Sequence, residues 1–455
     1  MRDLVSTVIG KTVRQAAKLR GGGGSALPGL VVEKIDPGYL ARVLGRLPHG
    51  VVVVSGTNGK TTTTKMIVEI LEDLGFSVFT NRTGSNFSRG VVAAAVQEAS
   101  PRGRLDADLA VLELDEAHAM YFIDRVRPDT TLLLNVLRDQ LDRFGEIDAT
   151  ARLLQRIADA TTGELVVNLE DPLVAAIGER TRERAGAGGA PRVRGFGLSA
   201  ELRALFPSDD AFHGGAGGAM APPDAASDGE AAPPADVILR SVGDHEAAFA
   251  IDGEEHRTSL QLEGLYNTFN AAAALATVRA VLEAPQGVAA GSDPRDGAGT
   301  ARLVTALSQV RPAFGRGERI ELDGRALELV LVKNPAGFRL ALASFDPAGV
   351  DTMIAINDQY ADGRDMSWLW DVDFGSLAAE GVAVVGGARA WDMALRLEHD
   401  DVEHGAVEEE LGRALGVFRA ATAEAGRPRR IYCTYTAMLE LRRALAELTD
   451  VEDIW

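Results

Sequence analysis

The chain has 455 residues, 46% apolar and 25% charged, the composition of a folded globular protein with room for roughly two to four domains. Its formal net charge is −19, a surface that repels nucleic-acid backbones and anionic headgroups; nucleic acid is excluded as main partner, and an anionic ligand needs a local positive pocket. The single cysteine, Cys433, excludes an internal disulfide and fits a reducing, cytoplasmic compartment, and no run of about 18 apolar residues is present to span a membrane.

The N-terminal stretch "MRDLVSTVIGKTVRQAAKLRGGGGS" is basic, and Lys11 and Arg14 interrupt the apolar core that a signal peptide needs. Residues 1–44 read as a helix and a Gly-rich segment packed on the following domain; a helix lying on the inner membrane surface is the alternative. "VVVVSG" then reads as a strand buried on both faces, and Met66, Ile67, Ile70, Leu71 and Leu74 fall on one helical stripe that ends at Gly75. "FSVFT", "LDADLAVLEL", "DTTLLLNV" and "GELVVNLED" are further strands, with a helix at 117–125 between the second and third. Strands alternating with helices predict a parallel α/β sheet. At about Ala200 the composition turns to Gly, Ala, Pro and Asp, which cannot bury a core, so 200–235 reads as a mobile insertion. Order resumes at "VILRSV", and another Gly/Asp-rich stretch near 287–301 reads as a hinge or long loop. Beyond it "LELVLVKN", "DTMIAIND", "GVAVVGG" and "RRIYCTY" are strands with helices between, so two α/β domains are expected, at 45–300 and 305–455.

Gly56-Thr57-Asn58-Gly59-Lys60-Thr61 carries the strongest chemistry. It has two residues fewer between its glycines than the usual phosphate loop, but a strand ends at a glycine, backbone N–H groups can curl around phosphate oxygens, and a helix starts with its positive end toward the anion. Lys60 can reach the β- and γ-phosphates and Thr61 can ligate Mg²⁺. The turn therefore reads as a site for ATP. Glu113 closes the strand of "AVLELDEAH" at the edge where α/β sheets bind ligands, and can hold Mg²⁺ directly or through water. Asp115 and Glu116 stand beside it, so the acidic cluster as a whole carries that reading. Asn135 ends another strand and precedes Arg138, Asp139, Gln140 and Asp142, a cluster that as a plain loop would only cap helices. Asn267 and Asn270, one helical turn apart in "LEGLYNTFNAAAALA", share a face; two amides there can read an adenine edge, and helix capping is the alternative.

Together these motifs resemble the Mur ligase superfamily, whose members join an amino acid to a carboxylate through an acyl phosphate made from ATP. The "GTNGKTTT" turn stands at Gly56 to Thr63, the glutamate after the third strand at Glu113, the "N…DHLD" element at Asn135 to Asp142 with Gln140 in place of histidine, an "NxDDP"-like stretch at Asn168 to Pro172, and the "G..N..N..AA" helix at Gly264 to Ala272. "FGRGERIE" keeps Arg316 and Glu318, and "LVLVKNPAGF" keeps Asn334 and Pro335 but has Lys333 where the superfamily has histidine. "INDQYADGRDMSWLWDVDF", "VVGGARAWDMALRLEHD" and the N-terminal "GGGGSALPGLVVEKIDP" are similar to the MurT family within it.

The resemblance implies a central P-loop ATP-binding domain with a parallel sheet, followed by a Rossmann-like α/β domain. It implies a synthetase subunit that works with a class I glutaminase of GatD type, converting the α-carboxylate of D-glutamate in the lipid II stem peptide to the carboxamide of D-isoglutamine. It implies Gly56, Thr57, Asn58, Gly59, Lys60, Thr61, Thr62, Asn267, Asn270 and Arg316 at the nucleotide, and Thr61 and Glu113 at Mg²⁺. It further implies Lys60 and Glu113 in catalysis, with Asp358 or Asp365 acting in ammonia handling at the glutaminase contact. Asp362, in an ordinary Asp-Gly turn, is the weaker of the three aspartates. As plain structure, Asp358 would be a turn residue, Asp365 a helix cap and Arg316 half of a surface ion pair. Some MurT members carry a four-cysteine zinc ribbon in the middle domain; here 200–235 has no cysteine and one histidine, His213, so no structural zinc is expected.

Cys433 sits between Tyr432 and Thr434, without the glycines of a nucleophile turn, and reads as a buried strand residue; the chain is therefore not a self-sufficient glutamine-dependent enzyme, which a synthetase with a separate glutaminase and a Mur ligase using an amino acid both predict. Two rivals remain: an amino-acid-adding ligase of Mur or folylpolyglutamate synthetase type, against which Gln140 and Lys333 count, and a non-catalytic nucleotide-binding scaffold, against which Lys60, Thr61 and Glu113 count.

Overall fold

The computed structural model describes residues 2–19, 27–81, 88–137, 147–185, 189–203, 235–243, 246–261, 265–284, 299–311, 316–359, 362–363, 365–423 and 426–451. The motif residues Arg138, Asp139, Gln140, Asp142 and Gly264, and nearly all of the 200–235 stretch, lie outside them. The chain divides into two units, essentially residues 1–310 and 311–455.

The first unit opens with three helices, α1 (Arg2–Leu19), α2 (Leu27–Ile35) and α3 (Tyr39–Leu44). Strand β1 (Val51–Ser55) follows, then α4 (Lys60–Asp73), β2 (Val78–Thr80), α5 (Ser88–Glu98), β3 (Leu109–Glu113), α6 (Glu116–Ile123), β4 (Thr130–Leu133), α7 (Ile147–Ala160), β5 (Glu164–Asn168), α8 (Pro172–Ala185), β6 (Arg192–Leu198) and the single turn α9 (Ala200–Arg203). The unit closes with β7 (Val237–Val242), β8 (Glu246–Ile251), β9 (Glu254–Ser259), α10 (Leu265–Glu283) and α11 (Thr300–Leu307). These strands form one sheet in the order β2-β3-β1-β4-β5-β6-β7-β8-β9. It is parallel from β2 to β7, as the βα rhythm demands, but β7-β8-β9 is an antiparallel meander. The expectation of a parallel sheet is corrected at that edge: tight Asp252-Gly253 at positive φ links β8 to β9, and a two-residue turn can only return the chain antiparallel.

β1 is Val-rich because helices cover both of its faces, and all five of its residues are buried. On α4, Met66, Ile67, Ile70 and Leu71 are fully buried, worth about 1.5–3 kcal/mol each as an upper estimate. Helix α10 is largely buried, and Ala271 to Ala274 and Ala276 are fully buried, small side chains that let neighbouring backbones come close. α1 packs on α2 and α5: Gly10 meets Val32 and Val96, Thr7 bonds Tyr39 (2.9 Å), and Lys11 Nζ donates to the Ala99 carbonyl (2.6 Å). Among the described residues, no helix is long and apolar enough to cross a membrane.

The second unit runs β10 (Arg316–Leu322), β11 (Arg325–Leu331), α12 (Pro335–Ser344), β12 (Asp351–Ala355), β13 (Val382–Gly386), α13 (Ala390–His399), β14 (His404–Glu408), α14 (Leu411–Ala421), β15 (Arg429–Cys433) and α15 (Tyr435–Ala446), with two short 3₁₀ turns between β12 and β13. Its sheet order is β10-β11-β15-β12-β13-β14, parallel except for the β10–β11 hairpin. Side-chain alternation splits it into two cores: Ile354 and Tyr432 face one layer with Phe338 and Phe374, while Met353, Ile431 and Cys433 face the other with Phe418 and Leu441.

Candidate active site

In the first unit β1 lies between β3 and β4, so the chain's successive crossovers leave β1 in opposite directions. That arrangement opens a crevice at the C-terminal strand ends, where α/β sheets bind ligands. Register brings the site residues to it: Val54 lies opposite Glu113, and Ser55 opposite Leu133, two residues before Asn135.

The loop leaves β1 at Gly56 (φ +131°) and enters α4 through Gly59 (φ +86°). Both positions need glycine: a Cβ on Gly56 would meet the Asn135 backbone at 2.9–3.0 Å, and one on Gly59 would meet the Asn270 amide at 2.8 Å. Asn135 clamps the loop. Its carbonyl accepts from Thr57 N–H (2.9 Å), its Oδ1 from Asn58 N–H (2.8 Å), and its Nδ2 donates to the Asn58 carbonyl (3.1 Å). The Asn168–Asp171 stretch braces Asn135 in turn. Asn168 Nδ2 donates to the Leu134 carbonyl (2.8 Å), and Asp171 accepts from Val136 N–H (2.7 Å) while capping α8 through Leu173 and Val174.

Lys60, only 8% exposed, folds back over this loop. Its Nζ donates to the Gly56 carbonyl and to the Thr57 carbonyl (3.1 Å), and lies 3.7 Å from Glu116 Oε1. The next side chain, Thr61, donates its hydroxyl to Glu113 Oε1 (3.0 Å). Glu113, 7% exposed, is held from behind by Asn81, which donates to its carbonyl (2.8 Å) and accepts from its N–H (3.0 Å). A hydroxyl and a carboxylate already in contact form the hard-oxygen donor pair that Mg²⁺ takes when it keeps most of its waters, so these residues fit that ion. Asp115 spends its carboxylate on the α6 N-terminus, accepting from Ala117 N–H, and touches His118 (both 3.2 Å).

Of the expected residues, Gly56 to Thr61, Glu113, Asn135 and Asn270 come together in this crevice. Thr62 points inward, buried, in the first turn of α4. Asn267 and Asn270 lie inside α10 rather than ahead of it, and Asn270 sits against Gly59 at the loop itself. Sequence reasoning missed Asn81, whose signal is a lone amide directly after a strand at the Glu113 edge. It also missed that Glu116 pairs with Lys60.

In the second unit Asn357, Asp358, Asp362 and Asp365 follow β12. Asn357 is buried and structural: its Oδ1 accepts from Ala388 N–H (3.0 Å), and its own N–H donates to Thr434 Oγ1 (2.9 Å). Asp362 is buried too, accepting from Thr436 N–H and the Thr436 hydroxyl at the start of α15. Asp358 stays partly exposed in an ion pair with Arg389 (2.8 Å), which also binds Asp392 (3.1 Å). Asp365 accepts from Ser367, whose hydrogen bonds hold its carboxyl below the usual range. The Arg316 side chain lies outside the described residues; Glu318 pairs with Arg442. Cys433 is fully buried, and burial pushes its thiol well above the ordinary range, so it supplies no thiolate at neutral pH.

Comparison with known proteins places these features in context. Residues 54–209 match the Mur ligase middle domain and residues 331–438 the MurT ligase C-terminal domain. The MurT subunit of lipid II isoglutaminyl synthase (glutamine-hydrolyzing) from Streptococcus pneumoniae is 29% identical over 442 residues, covering 93% of both chains. The corresponding subunit from Staphylococcus aureus is 26% identical over 414 residues, 89% of each. Among solved structures, MurF from Acinetobacter baumannii superimposes with a TM-score of 0.62 at 20% identity, covering 88% of this chain and 76% of its own. Folylpolyglutamate synthase from Mycobacterium tuberculosis, complexed with ADP and AMPPCP, gives 0.59 at 15% identity, covering 94% and 99%.

Proposed function

The chain belongs to the MurT family of Mur ligase-like proteins, and as a ligase forming C–N bonds it is, we propose, the ATP-dependent synthetase that amidates the D-glutamate α-carboxylate of lipid II. The observation that carries the reading is a complete phosphate loop, with Lys60, Thr61 and Glu113 clustered on it, in a chain whose one cysteine is sealed in a strand. Such a chain can activate a carboxylate but cannot hydrolyse glutamine through a cysteine of its own. The similar proteins named above, subunits of a glutamine-hydrolysing synthase, support a glutaminase partner of GatD type.

In this reading a carboxylate oxygen of the stem peptide attacks the γ-phosphorus of ATP and the bond to the β–γ bridging oxygen breaks, leaving ADP and an acyl phosphate. The nitrogen of ammonia then attacks the acyl carbon, the C–O bond to phosphate breaks, and a proton leaves the nitrogen to give the amide. The loop N–H groups from Gly56 to Thr62 hold the phosphates, and Lys60 offsets charge on the transferring group. Thr61 and Glu113 would hold Mg²⁺, which supplies further neutralisation when bound. Asn267, Asn270 and Arg316 are proposed nucleotide contacts. Asp358 and Asp365 are the two proposed groups for ammonia handling at the glutaminase, and lipid II would be met at the inner face of the membrane.

The test is the mass of the product formed from lipid II by the chain with ATP, Mg²⁺ and ammonium, with and without a co-purified glutaminase. Replacement of OH by NH₂, with ADP released in step, supports the reading. Addition of a whole amino-acid residue when amino acids replace ammonium would make the chain a peptide-forming ligase, and no ADP at all would make it a scaffold.

A further inference from the structure

We propose that Glu116 makes the phosphate loop discriminate between metal-bound and metal-free nucleotide, by holding Lys60 until a metal–nucleotide takes its place. This rests on the nucleotide reading above. Glu116 is 3% exposed and its Oε1 lies 3.7 Å from Lys60 Nζ. The α6 N-terminus is already capped by Asp115, so capping does not account for a buried carboxylate at Glu116. Lys60 is folded onto its own loop carbonyls, with its ammonium near this acid. Glu113 adds a second buried carboxylate one residue along the loop, on Thr61. The three charged groups therefore sum to one net negative charge at the place where a polyanion must bind.

A phosphate that enters has to win Lys60 from Glu116 and then lies beside two carboxylates in a site with little water to screen them. A nucleotide without metal brings only negative charge to that exchange. A nucleotide carrying Mg²⁺ would bring positive charge to the same place, where Thr61 and Glu113 would hold the ion, so that Glu116 could give up Lys60. Glu116 is thus a positioning residue: it acts on Lys60 and raises the metal dependence of binding.

The experiment measures ADP affinity of the full-length chain by calorimetry, in EDTA and in saturating Mg²⁺, for wild type, Glu116→Gln and Glu116→Asp. Glu116→Gln is isosteric and removes the charge. It is expected to tighten ADP about five- to tenfold in EDTA and less than about threefold in Mg²⁺, so the enhancement by Mg²⁺ shrinks. Glu116→Asp keeps the charge on a shorter arm and is expected to fall between the two, which also serves should the glutamine variant fail to fold. A merely structural glutamate would move both affinities together. ADP affinity in EDTA that is unchanged or weaker in the folded variants overturns the proposal alone. Failure of the wild type to bind ADP with Mg²⁺ overturns the nucleotide reading and this proposal with it.

Discussion

Replacing Asn135 with alanine tests whether the loop is preorganised by its neighbour strand. The substitution removes two hydrogen bonds, from Asn58 N–H to Oδ1 (2.8 Å) and from Nδ2 to the Asn58 carbonyl (3.1 Å), and leaves the backbone bond from Thr57 in place. Each is worth about 1 kcal/mol net, and because Asn58 is only half-buried, water replaces the lost partners without a further desolvation penalty. The loss of about 2 kcal/mol falls on loop order: the free loop opens, and ligand binding must close it again. At 1.4 kcal/mol per tenfold, ADP affinity is expected to weaken by up to about thirtyfold. The melting temperature should fall only a few degrees, because Gly56, Gly59 and the strand register survive. Calorimetric titration with Mg²⁺ and ADP, beside a thermal melt, reads both quantities. An Asn135→Ala chain that binds ADP within about twofold of wild type refutes the clamp, since no ordering free energy would then have been supplied by the side chain.

Other perturbations have equally definite outcomes. Lys60→Ala should abolish amidation with the fold retained, because β1 and the α4 stripe do not depend on the ammonium; unfolding at room temperature would contradict this. Cys433 should resist iodoacetamide at pH 8 in the native chain and react readily in urea, because burial raises its thiol pKa; rapid native labelling would show the strand to be open. Asp323, in the β10–β11 turn, is held well below the usual carboxylate range by hydrogen bonds from Arg419 and Arg429. A carboxyl depressed on folding stabilises above its unfolded value, about pH 4, and loses that contribution as pH falls through the folded one. Asp323→Asn keeps the positive-φ turn (φ +55°) and should cost about 1 kcal/mol at pH 7, discounted because the side chain is 35% exposed, and less at pH 3; an equal urea-midpoint shift at both would sink the assignment. Finally, one of Asp358→Asn and Asp365→Asn should lose glutamine-driven amidation while keeping ammonium-driven amidation. Loss of both activities together in each variant would point to a structural role instead.

Much of the fold was legible because its signals are local. A run of valines ending in glycine, a stripe of Met66, Ile67, Ile70 and Leu71, and Asn334-Pro335 at the start of α12 each state their backbone geometry within a few residues. Strands β6, β8, β9, β10 and β14 escaped, and for two of them the reason is the lack of that contrast. β9 reads EEHRTS and β14 HGAVE; both lie at sheet edges, where half-exposed backbones tolerate polar side chains and no buried face imposes an apolar pattern. The antiparallel β7–β9 meander likewise departs from the βα rhythm that the rest of the unit announces.

At the site, residue identities alone indicated phosphate chemistry: glycines where only glycine can turn, a lysine and threonine at a helix start, an acid at a strand end. What they did not contain was who pairs with whom. Thr61 meets Glu113 across 52 positions, Asn58 meets Asn135 across 77, and Asp358 meets Arg389 across 31. Those distances are closed by sheet register and helix packing, which depend on the free energy of the whole core rather than on any short segment. For the same reason Glu116, indistinguishable in the sequence from its neighbours Asp115 and Glu113, became the partner of Lys60 only when β3 was set beside β1.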